Sequence, residues 1–135
     1  MCKSLLYVSR KTRPWPDDGP DVEAITAVAR ARNLEMKVTG ALISTEQHFA
    51  QILEGAPARV DALMVSIRRD PRHSEVTVLQ EVERSTRWFA QWSLAYAGQS
   101  SYVGLKVSTL LAVAPPSPQK VDALVKLIRA FSRTT

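Results

Sequence analysis

Residues 39–53, TGALISTEQHFAQIL, contain two apolar stretches that flank a short polar turn at Thr45–Gln47. Each stretch has the length of a β-strand, and so short a turn joins neighbouring antiparallel strands. Side chains alternate between the two faces of a strand, so Phe49, Gln51 and Leu53 share one face. A buried glutamine without partners costs about 1–3 kcal/mol. We therefore expect other groups to bind both ends of the Gln51 amide.

The other apolar patterns before residue 97 predict three more strands and two helices. Strict alternation predicts strands, and apolar residues at i, i+3, i+4 and i+7 predict helices with one apolar side. In chain order, the predicted elements are a strand at 4–9, a helix from Asp21 to about Arg32, strands at 39–44 and 48–53, a helix at 58–69 and strands at 75–82 and 88–96. This order contains the ferredoxin-like βαββαβ pattern with an added fifth strand. We predict an α+β fold in which both helices cover one face of a mainly antiparallel sheet.

Each predicted helix has one apolar side. Asp21 precedes the first helix and is predicted to be its N-cap. The apolar line of the first helix consists of Val22, Ile25, Val28 and Ala29. The second helix repeats the pattern with Val60, Leu63, Met64 and Ile67.

Residues 98–135 are predicted to form a C-terminal helical extension of a core at 1–97. A mildly apolar stretch at 102–113 predicts one helix, and the PPSP sequence at 115–118 ends it. Residues 119–132 predict a second helix with the apolar line Val121, Leu124, Val125, Ile128 and Phe131. We expect these helices to cover the open face of the sheet or to bind a partner.

Composition and charge argue against several classes of protein. The chain has 135 residues, 45% of them hydrophobic, and no apolar run approaches the roughly 20 residues of a membrane span. The first residues, MCKSLLYVSRK, have too short an apolar core for a signal peptide, and the single Cys2 has no partner for an internal disulfide. We therefore expect a cytoplasmic protein without a membrane segment. The net charge is +5, but the basic residues are interspersed with acidic ones and the sequence has no nucleic-acid-binding motif. A nucleic-acid-binding protein is therefore not expected.

Motifs for catalysis or metal binding are not found in the sequence. There is no Gly-rich phosphate loop, Cys/His metal spacing or nucleophile elbow. A ferredoxin-like hydrolase would need a catalytic pair, and neither His48 nor His73 has an evident partner at a useful spacing. We expect neither an enzyme nor a metal site.

Five segments, in matching order and spacing, resemble the BLUF family of flavin-binding blue-light sensors. They are LLYVSR at 5–10, ARARNLEMKVTGAL at 29–42, HFAQILEG at 48–55, IRRDPRHSEV at 67–76 and RWFAQWSLAY at 87–96. The resemblance covers about residues 3–97. It implies non-covalent binding of FAD, or of FMN or another flavin, between the two helices.

The resemblance also implies partners for the Gln51 amide. Gln51 would lie between Tyr7 and the flavin, and its donor and acceptor ends would bridge the phenol and the N5/C4-carbonyl edge. Excited flavin would take an electron from Tyr7, with the proton following through Gln51. Recombination would return the electron and the proton to Tyr7 and leave the amide rotated or tautomerised, so only the hydrogen bonds of the flavin would change. This describes a light switch rather than catalysis.

Other positions match residues that surround the flavin in the family. Asn33 would hold the polar edge of the ring near C4=O and N3, and Ile25 would pack on the ring face. Near the ring or the ribityl chain, the resemblance places Arg32, Asp70, Arg72 and His73. From the residues alone, Asn33 is also a common helix cap, and the charged residues are also ordinary surface groups.

The fifth strand departs from the family pattern at one position. Trp92 matches the family tryptophan beside the flavin, but Leu94 stands where the family usually has methionine. Leucine can only pack, so weaker transmission to the last strand is implied.

Output is expected through the fifth strand and the tail, to a downstream protein or within a homo-oligomer. The alternative is a regulatory adaptor of the same fold that has lost flavin binding or light signalling. Leu94 favours it, and the retained Tyr7, Asn33 and Gln51 argue against it.

Overall fold

The computed structural model describes residues 2–11, 20–44, 48–71, 73–89, 92–94 and 118–132. This part of the chain contains five strands and three helices. The strands are β1 (Cys2–Lys11), β2 (Thr39–Ser44), β3 (His48–Gly55), β4 (His73–Arg84) and β5 (Trp92–Leu94). The helices are α1 (Pro20–Glu35), α2 (Pro57–Arg69) and α3 (Pro118–Ser132). The predicted order β-α-β-β-α-β-β is confirmed.

The strands form one sheet in the order β4-β1-β3-β2-β5. β1 pairs with β3 and β4, and β2 pairs with β3, all antiparallel, whereas β5 is parallel to β2. The predicted ferredoxin-like α+β fold with an added fifth strand is therefore confirmed. β1 and β3 each have a neighbouring strand on both sides, and every residue of β3 is buried.

Alternation along β1 and β3 separates two apolar clusters, one on each side of the sheet. On the side that we call the α2 face, Leu5, Tyr7 and Leu53 pack with the apolar side of α2, which consists of Val60, Leu63, Met64 and Ile67. On the opposite side, the α3 face, alternate strand residues pack with the apolar side of α3: Leu6, Val8, Ala50 and Ile52 with Val121, Leu124, Val125 and Ile128. The predicted apolar sides of α2 and of the last helix are confirmed at these positions.

Helix α1 ends in a Schellman motif, which fixes the position of Asn33. The Val38 amide donates to the Asn33 carbonyl at 2.9 Å, and the Lys37 amide donates to the Leu34 carbonyl at 3.1 Å. Lys37 has the left-handed φ of 56° that the motif requires and that glycine usually supplies. Asn33 therefore lies in the last turn of the helix, and the interpretation of this residue as the helix cap is wrong.

The start and the apolar side of α1 also differ from the prediction. The helix begins at Pro20, so Asp21 lies inside it and is not the N-cap. Proline suits the first helical position because the missing N–H would have no partner there. Val28 is 51% exposed, whereas Ala29 is 5% exposed. Asn33 lies one turn after Ala29 and is buried too, so the inward side is centred on these two residues rather than on Val28.

The first residues of the predicted fifth strand do not form a strand. Among the described residues, β5 consists of Trp92–Leu94, and Trp88 and Phe89 lie outside it. The backbone amides of Trp88 and Phe89 donate to the carboxylate of Glu54 rather than to a neighbouring strand. Phe89 is buried on the α3 face. A side chain thus replaces strand pairing at the point where alternation had predicted the start of a strand.

Helix α3 confirms the second predicted helix of the tail and covers the face of the sheet opposite α2. The first predicted tail helix, at 102–113, lies outside the described residues. So do residues 12–19 and the turn predicted at 45–47. Among the helices that are described, none is long and apolar enough to span a membrane.

Candidate functional site

Tyr7 and Gln51 lie directly opposite each other on β1 and β3. Opposite residues of antiparallel strands have Cβ atoms about 4.5–5.5 Å apart and share a face. The Gln51 amide nitrogen, Nε2, donates a hydrogen bond to the Tyr7 hydroxyl at 2.6 Å. Tyr7 is 1% exposed and Gln51 is 3% exposed. The central strands therefore place an amide and a phenol in direct contact, away from solvent.

The phenol of Tyr7 stays protonated well above neutral pH. Burial raises its pKa above the ordinary value and outweighs the opposing hydrogen bond from Gln51 and the positive charge of Arg32. The negative charge of Asp70 adds to the increase in pKa. A neutral phenol can accept the hydrogen bond from Gln51 and donate its own proton at the same time. Arg32 and Asp70, both predicted near the site, thus lie within electrostatic range of Tyr7.

The last turn of α1 carries polar atoms that lack a hydrogen-bond partner within the described residues. Asn33 is 1% exposed, and its side-chain nitrogen, Nδ2, has no acceptor there. The Nε of Arg32 is likewise buried without an acceptor. Leaving such a donor unpaired costs about 1–3 kcal/mol. Two adjacent residues of α1 therefore present donors that an oxygen-bearing ligand would satisfy.

An open cleft of about 450 Å³ lies at the C-terminal end of α2. Its described lining consists of Ser66, Arg69, Asp70 and Pro71. The volume falls within the usual range for small-molecule sites. Asp70 lines the cleft and also raises the pKa of Tyr7, so this residue connects the cleft with the buried phenol.

One row of paired Cα atoms connects the Tyr7–Gln51 contact with β5. From Tyr7 it passes through Gln51 and Leu42 to Leu94. Adjacent strands lie about 4.8 Å apart, so the Leu94 backbone is about 10 Å from that of Gln51. Trp92 pairs with Gly40, two residues earlier along β2. The side chains of Trp92 and Leu94 lie outside the described part of the chain.

The remaining predicted flavin contacts are placed only by their backbone or not at all. Ile25 lies in α1, one turn before Ala29, and His73 is the first residue of β4. The side chains of both residues are outside the described part, and so is the whole of Arg72. The structure therefore places Gln51 against Tyr7, and Arg32 and Asp70 within electrostatic range of that phenol.

Glu54 was not among the residues predicted from the sequence. Its side chain is 0% exposed, and its Oε1 accepts hydrogen bonds from the amides of Trp88 at 2.8 Å and Phe89 at 2.9 Å. Its Oε2 lies 4.0 Å from the Nε of Arg84, whose guanidinium is 3.2 Å from the centre of the Trp88 ring. The signal was present in the alternation of β3, because Glu54 follows the apolar residues Ala50 and Ile52 on the same face.

Residues 2–95 match the protein family described as BLUF, sensors of blue-light using FAD. The chain belongs to the BLUF family. A solved dark-state structure of the BLUF protein BlrB superposes with a TM-score of 0.75 and 29% identity, over 96% of each chain. The predictions of the family and the ferredoxin-like fold are thereby confirmed.

Two curated relatives are much longer than this BLUF chain. It is 32% identical over 130 residues to the photoactivated adenylate cyclase subunit beta of Euglena gracilis, with 96% of the chain and 14% of the relative covered. It is 37% identical over 81 residues to the blue light- and temperature-regulated antirepressor BluF of Escherichia coli, with 58% and 19% covered. The similarity thus concerns the sensor domain of each relative.

The donors at the end of α1 suit the BLUF chromophore. BLUF domains bind FAD, so the prediction of a flavin-dependent blue-light sensor is confirmed. The isoalloxazine ring carries carbonyl oxygens, which accept hydrogen bonds. The buried Nδ2 of Asn33 and Nε of Arg32 are donors of the kind that such oxygens would satisfy.

Proposed function

We propose that this BLUF chain senses blue light by reversing the hydrogen bond between Gln51 and Tyr7. The observation that carries the proposal is the 2.6 Å contact between two side chains that central strands bury opposite each other. The two ends of an amide differ, because the nitrogen donates hydrogen bonds and the oxygen accepts them. A change at Gln51 therefore decides whether the Tyr7 hydroxyl accepts or donates. The strands that carry the pair are flanked by β4 on one side and β2 on the other.

The flavin is proposed to lie beside this pair, with FAD as the chromophore and FMN as the other flavin to test. The Nδ2 of Asn33 would donate to a ring carbonyl, which supplies the acceptor that this buried atom lacks among the described residues. Arg32 and Asp70 would flank the site with opposite charges. Ile25, Arg72 and His73 are proposed as further contacts on the basis of their positions in the family motif.

The bound flavin supplies blue-light absorption and, once excited, a one-electron oxidant. Tyr7 holds its phenolic proton because burial raises the pKa of the phenol. In the arrangement observed, Gln51 donates and Tyr7 accepts. Rotation or tautomerisation of the Gln51 amide would place an acceptor beside the hydroxyl, and Tyr7 would then donate. The switch needs no bond to the flavin.

Output is proposed to occur by protein contact, without catalysis, in a cytoplasmic protein. The sensor core would be residues 1–97, and the C-terminal extension would be residues 98–135. Helix α3 uses its apolar side within its own chain, so a downstream protein or a second copy would contact its exposed side, which includes Asp122 and Lys126. The Escherichia coli relative, an antirepressor regulated by blue light, supports a protein partner.

A flavin-free adaptor of the same fold is the weaker candidate. It would leave the Asn33 Nδ2 buried with no acceptor in the described part of the protein, at a cost of about 1–3 kcal/mol. A flavin-binding protein would satisfy that atom.

Flavin affinity in matched variants of α1 tests the proposed site. Fluorescence quenching of FAD and FMN would be titrated with wild type, Asn33→Ala and Leu34→Ala. Loss of a buried hydrogen bond weakens binding by about tenfold, so we expect that loss in Asn33→Ala. Leu34 is the neighbouring residue and is 78% exposed, so Leu34→Ala should bind as wild type does. Equal affinity in all three proteins would contradict the placement of the flavin at Asn33.

A further inference from the structure

Glu54 is buried more completely than any other charged side chain in the described part of the chain, at 0% exposure. Burying a carboxylate is costly unless strong hydrogen bonds compensate for the lost water. Its Oε1 accepts two such bonds, from the consecutive amides of Trp88 and Phe89. These residues lie between β4 and β5, and neither is part of a strand. The carboxylate therefore holds, through its own hydrogen bonds, the segment that leads into β5.

The segment that Glu54 holds is connected to both proposed output elements. Phe89 is buried in the α3-face cluster with Val121, Val125 and Ile128 of α3. Trp88 packs partly against the same cluster, and its ring lies against the guanidinium of Arg84 at 3.2 Å. Movement of this segment would reach α3 through apolar packing and β5 through the chain itself.

Glu54 is also connected to the proposed light switch, by the backbone of β3. Gln51 and Glu54 are three residues apart, about 10 Å along the strand, and they lie on opposite faces. β3 is paired along its length with β1 and β2. A shift of the strand at Gln51 is therefore shared by Glu54, while a side chain on the α3 face has no direct contact with the α2 face.

We propose that Glu54 is a positioning residue that transmits a change at Gln51, through the amides of Trp88 and Phe89, to β5 and α3. The inference rests on the proposed function for its light dependence. The physical link between Gln51, Glu54 and the two amides exists in the dark as well. Transmission from Gln51 through Glu54 is therefore independent of the side chain at position 94.

The dark link is tested by hydrogen exchange of the Trp88 and Phe89 amides in flavin-loaded protein. Glu54→Leu removes the oxygen that accepts from both amides and should raise exchange about tenfold, whereas Glu54→Gln keeps a neutral acceptor and should raise it about threefold. Gln51→Leu should change the exchange of these amides by about threefold when Glu54 is present and leave it unchanged in the Glu54→Leu background. An effect of Gln51→Leu that is equal in both backgrounds would overturn the inference.

The light link is tested by the light-minus-dark difference in exchange over residues 84–89 and 118–132. Wild type should show a difference in both segments, and Glu54→Leu should lose it over 118–132 while keeping the flavin red shift. Glu54→Gln should retain part of the difference, and it is the decisive variant if Glu54→Leu does not fold. A full wild-type difference in Glu54→Leu, or in Glu54→Gln when that variant is decisive, would overturn the inference.

Arg87→Ala is the matched control. Arg87 ties the same segment to β2 through a 3.1 Å hydrogen bond from its Nη1 to the hydroxyl of Thr39, at an exposed position. This variant should keep the light-dependent difference, and an equal loss there would remove the specific role of Glu54. A missing red shift in wild type would count against the proposed function, and the dark exchange data would still decide whether Glu54 links the two faces.

Discussion

The α2 face and the α3 face are built from alternate residues of the same strands, but they differ in polar content. Tyr7 and Gln51 lie at the centre of the α2 face and are joined by a hydrogen bond. On the α3 face, the neighbouring residues Leu6, Val8 and Ile52 are all apolar, and a buried charge, Glu54, lies towards the end of β3. Adjacent residues of one strand can thus serve different purposes, because the sheet separates them. The α2 face carries the chemistry, and the α3 face stabilises it.

Truncation of Ile128 should have the largest effect on stability and none on the flavin red shift. Ile128 is 0% exposed in the α3-face cluster, so Ile128→Ala should lower the free energy of unfolding by about 2–5 kcal/mol. The flavin red shift of the folded protein should be unchanged, because the sheet separates Ile128 from Gln51. Lys126→Ala, on the exposed side of the same helix, should change stability by less than about 0.5 kcal/mol. Urea unfolding measures the stability of both variants. A lost red shift in folded Ile128→Ala would contradict the conclusion that the sheet separates the two faces.

Removal of one partner from the Tyr7–Gln51 pair should have the next largest effect. Tyr7→Phe leaves the Nε2 of Gln51 buried without its phenol acceptor, which should cost about 1–3 kcal/mol. The double variant with Gln51→Leu should be more stable than the two single costs predict, by about 1 kcal/mol, because both polar partners are gone. Strict additivity in urea unfolding would show that the contact contributes nothing to stability.

Alkaline pH should destabilise the α2 face through Tyr7. Burial raises the pKa of this phenol above its ordinary value of 10.0, so above pH 10 the native state keeps a proton that the unfolded chain has lost. The free energy of unfolding should therefore fall as pH rises, by up to about 1.4 kcal/mol per pH unit from this group. The free energies of unfolding of wild type and Tyr7→Phe, measured between pH 9 and 11, isolate the contribution of the phenol. The same pH dependence in both proteins would contradict a raised pKa of Tyr7.

The smallest expected effect on stability is that of Leu94→Met. The swap nearly conserves volume, so it should cost less than about 1.5 kcal/mol. The red shift should remain, since it depends on Gln51. A thioether at this position should enlarge the light-dependent exchange over residues 88–132 by coupling β5 more closely to the row that contains Gln51. A large response in wild type that Leu94→Met does not increase would show that position 94 is a packing residue only.

The sequence predicted most of the fold because the apolar periodicity was strong in α2 and in the central strands. The apolar side of α2 and the two faces of β3 follow directly from spacing. The errors arose where a specific polar contact replaced the expected pattern. Glu54 binds the amides of Trp88 and Phe89, so these two residues, where a strand was predicted to begin, are not part of one.

The candidate site was only partly predictable from residue types. Alternation alone showed that Gln51 faces a buried side, and only the family resemblance named Tyr7 as its partner. Register decides that contact, because a slip of one residue would turn Gln51 to the other face. The burial of Glu54 was visible as a charge on an apolar face, but its partners come from a segment more than thirty residues away, which no local pattern specifies.

The light-minus-dark absorption spectrum of FAD-loaded protein tests the central claim, that the Gln51–Tyr7 hydrogen bond is the switch. Wild type should show a small, reversible red shift of the flavin bands under blue light. Tyr7→Phe and Gln51→Leu should bind flavin and show no shift. Leu53→Met, on the next inward position of β3, should shift as wild type does. A normal red shift in Tyr7→Phe or in Gln51→Leu would contradict the account.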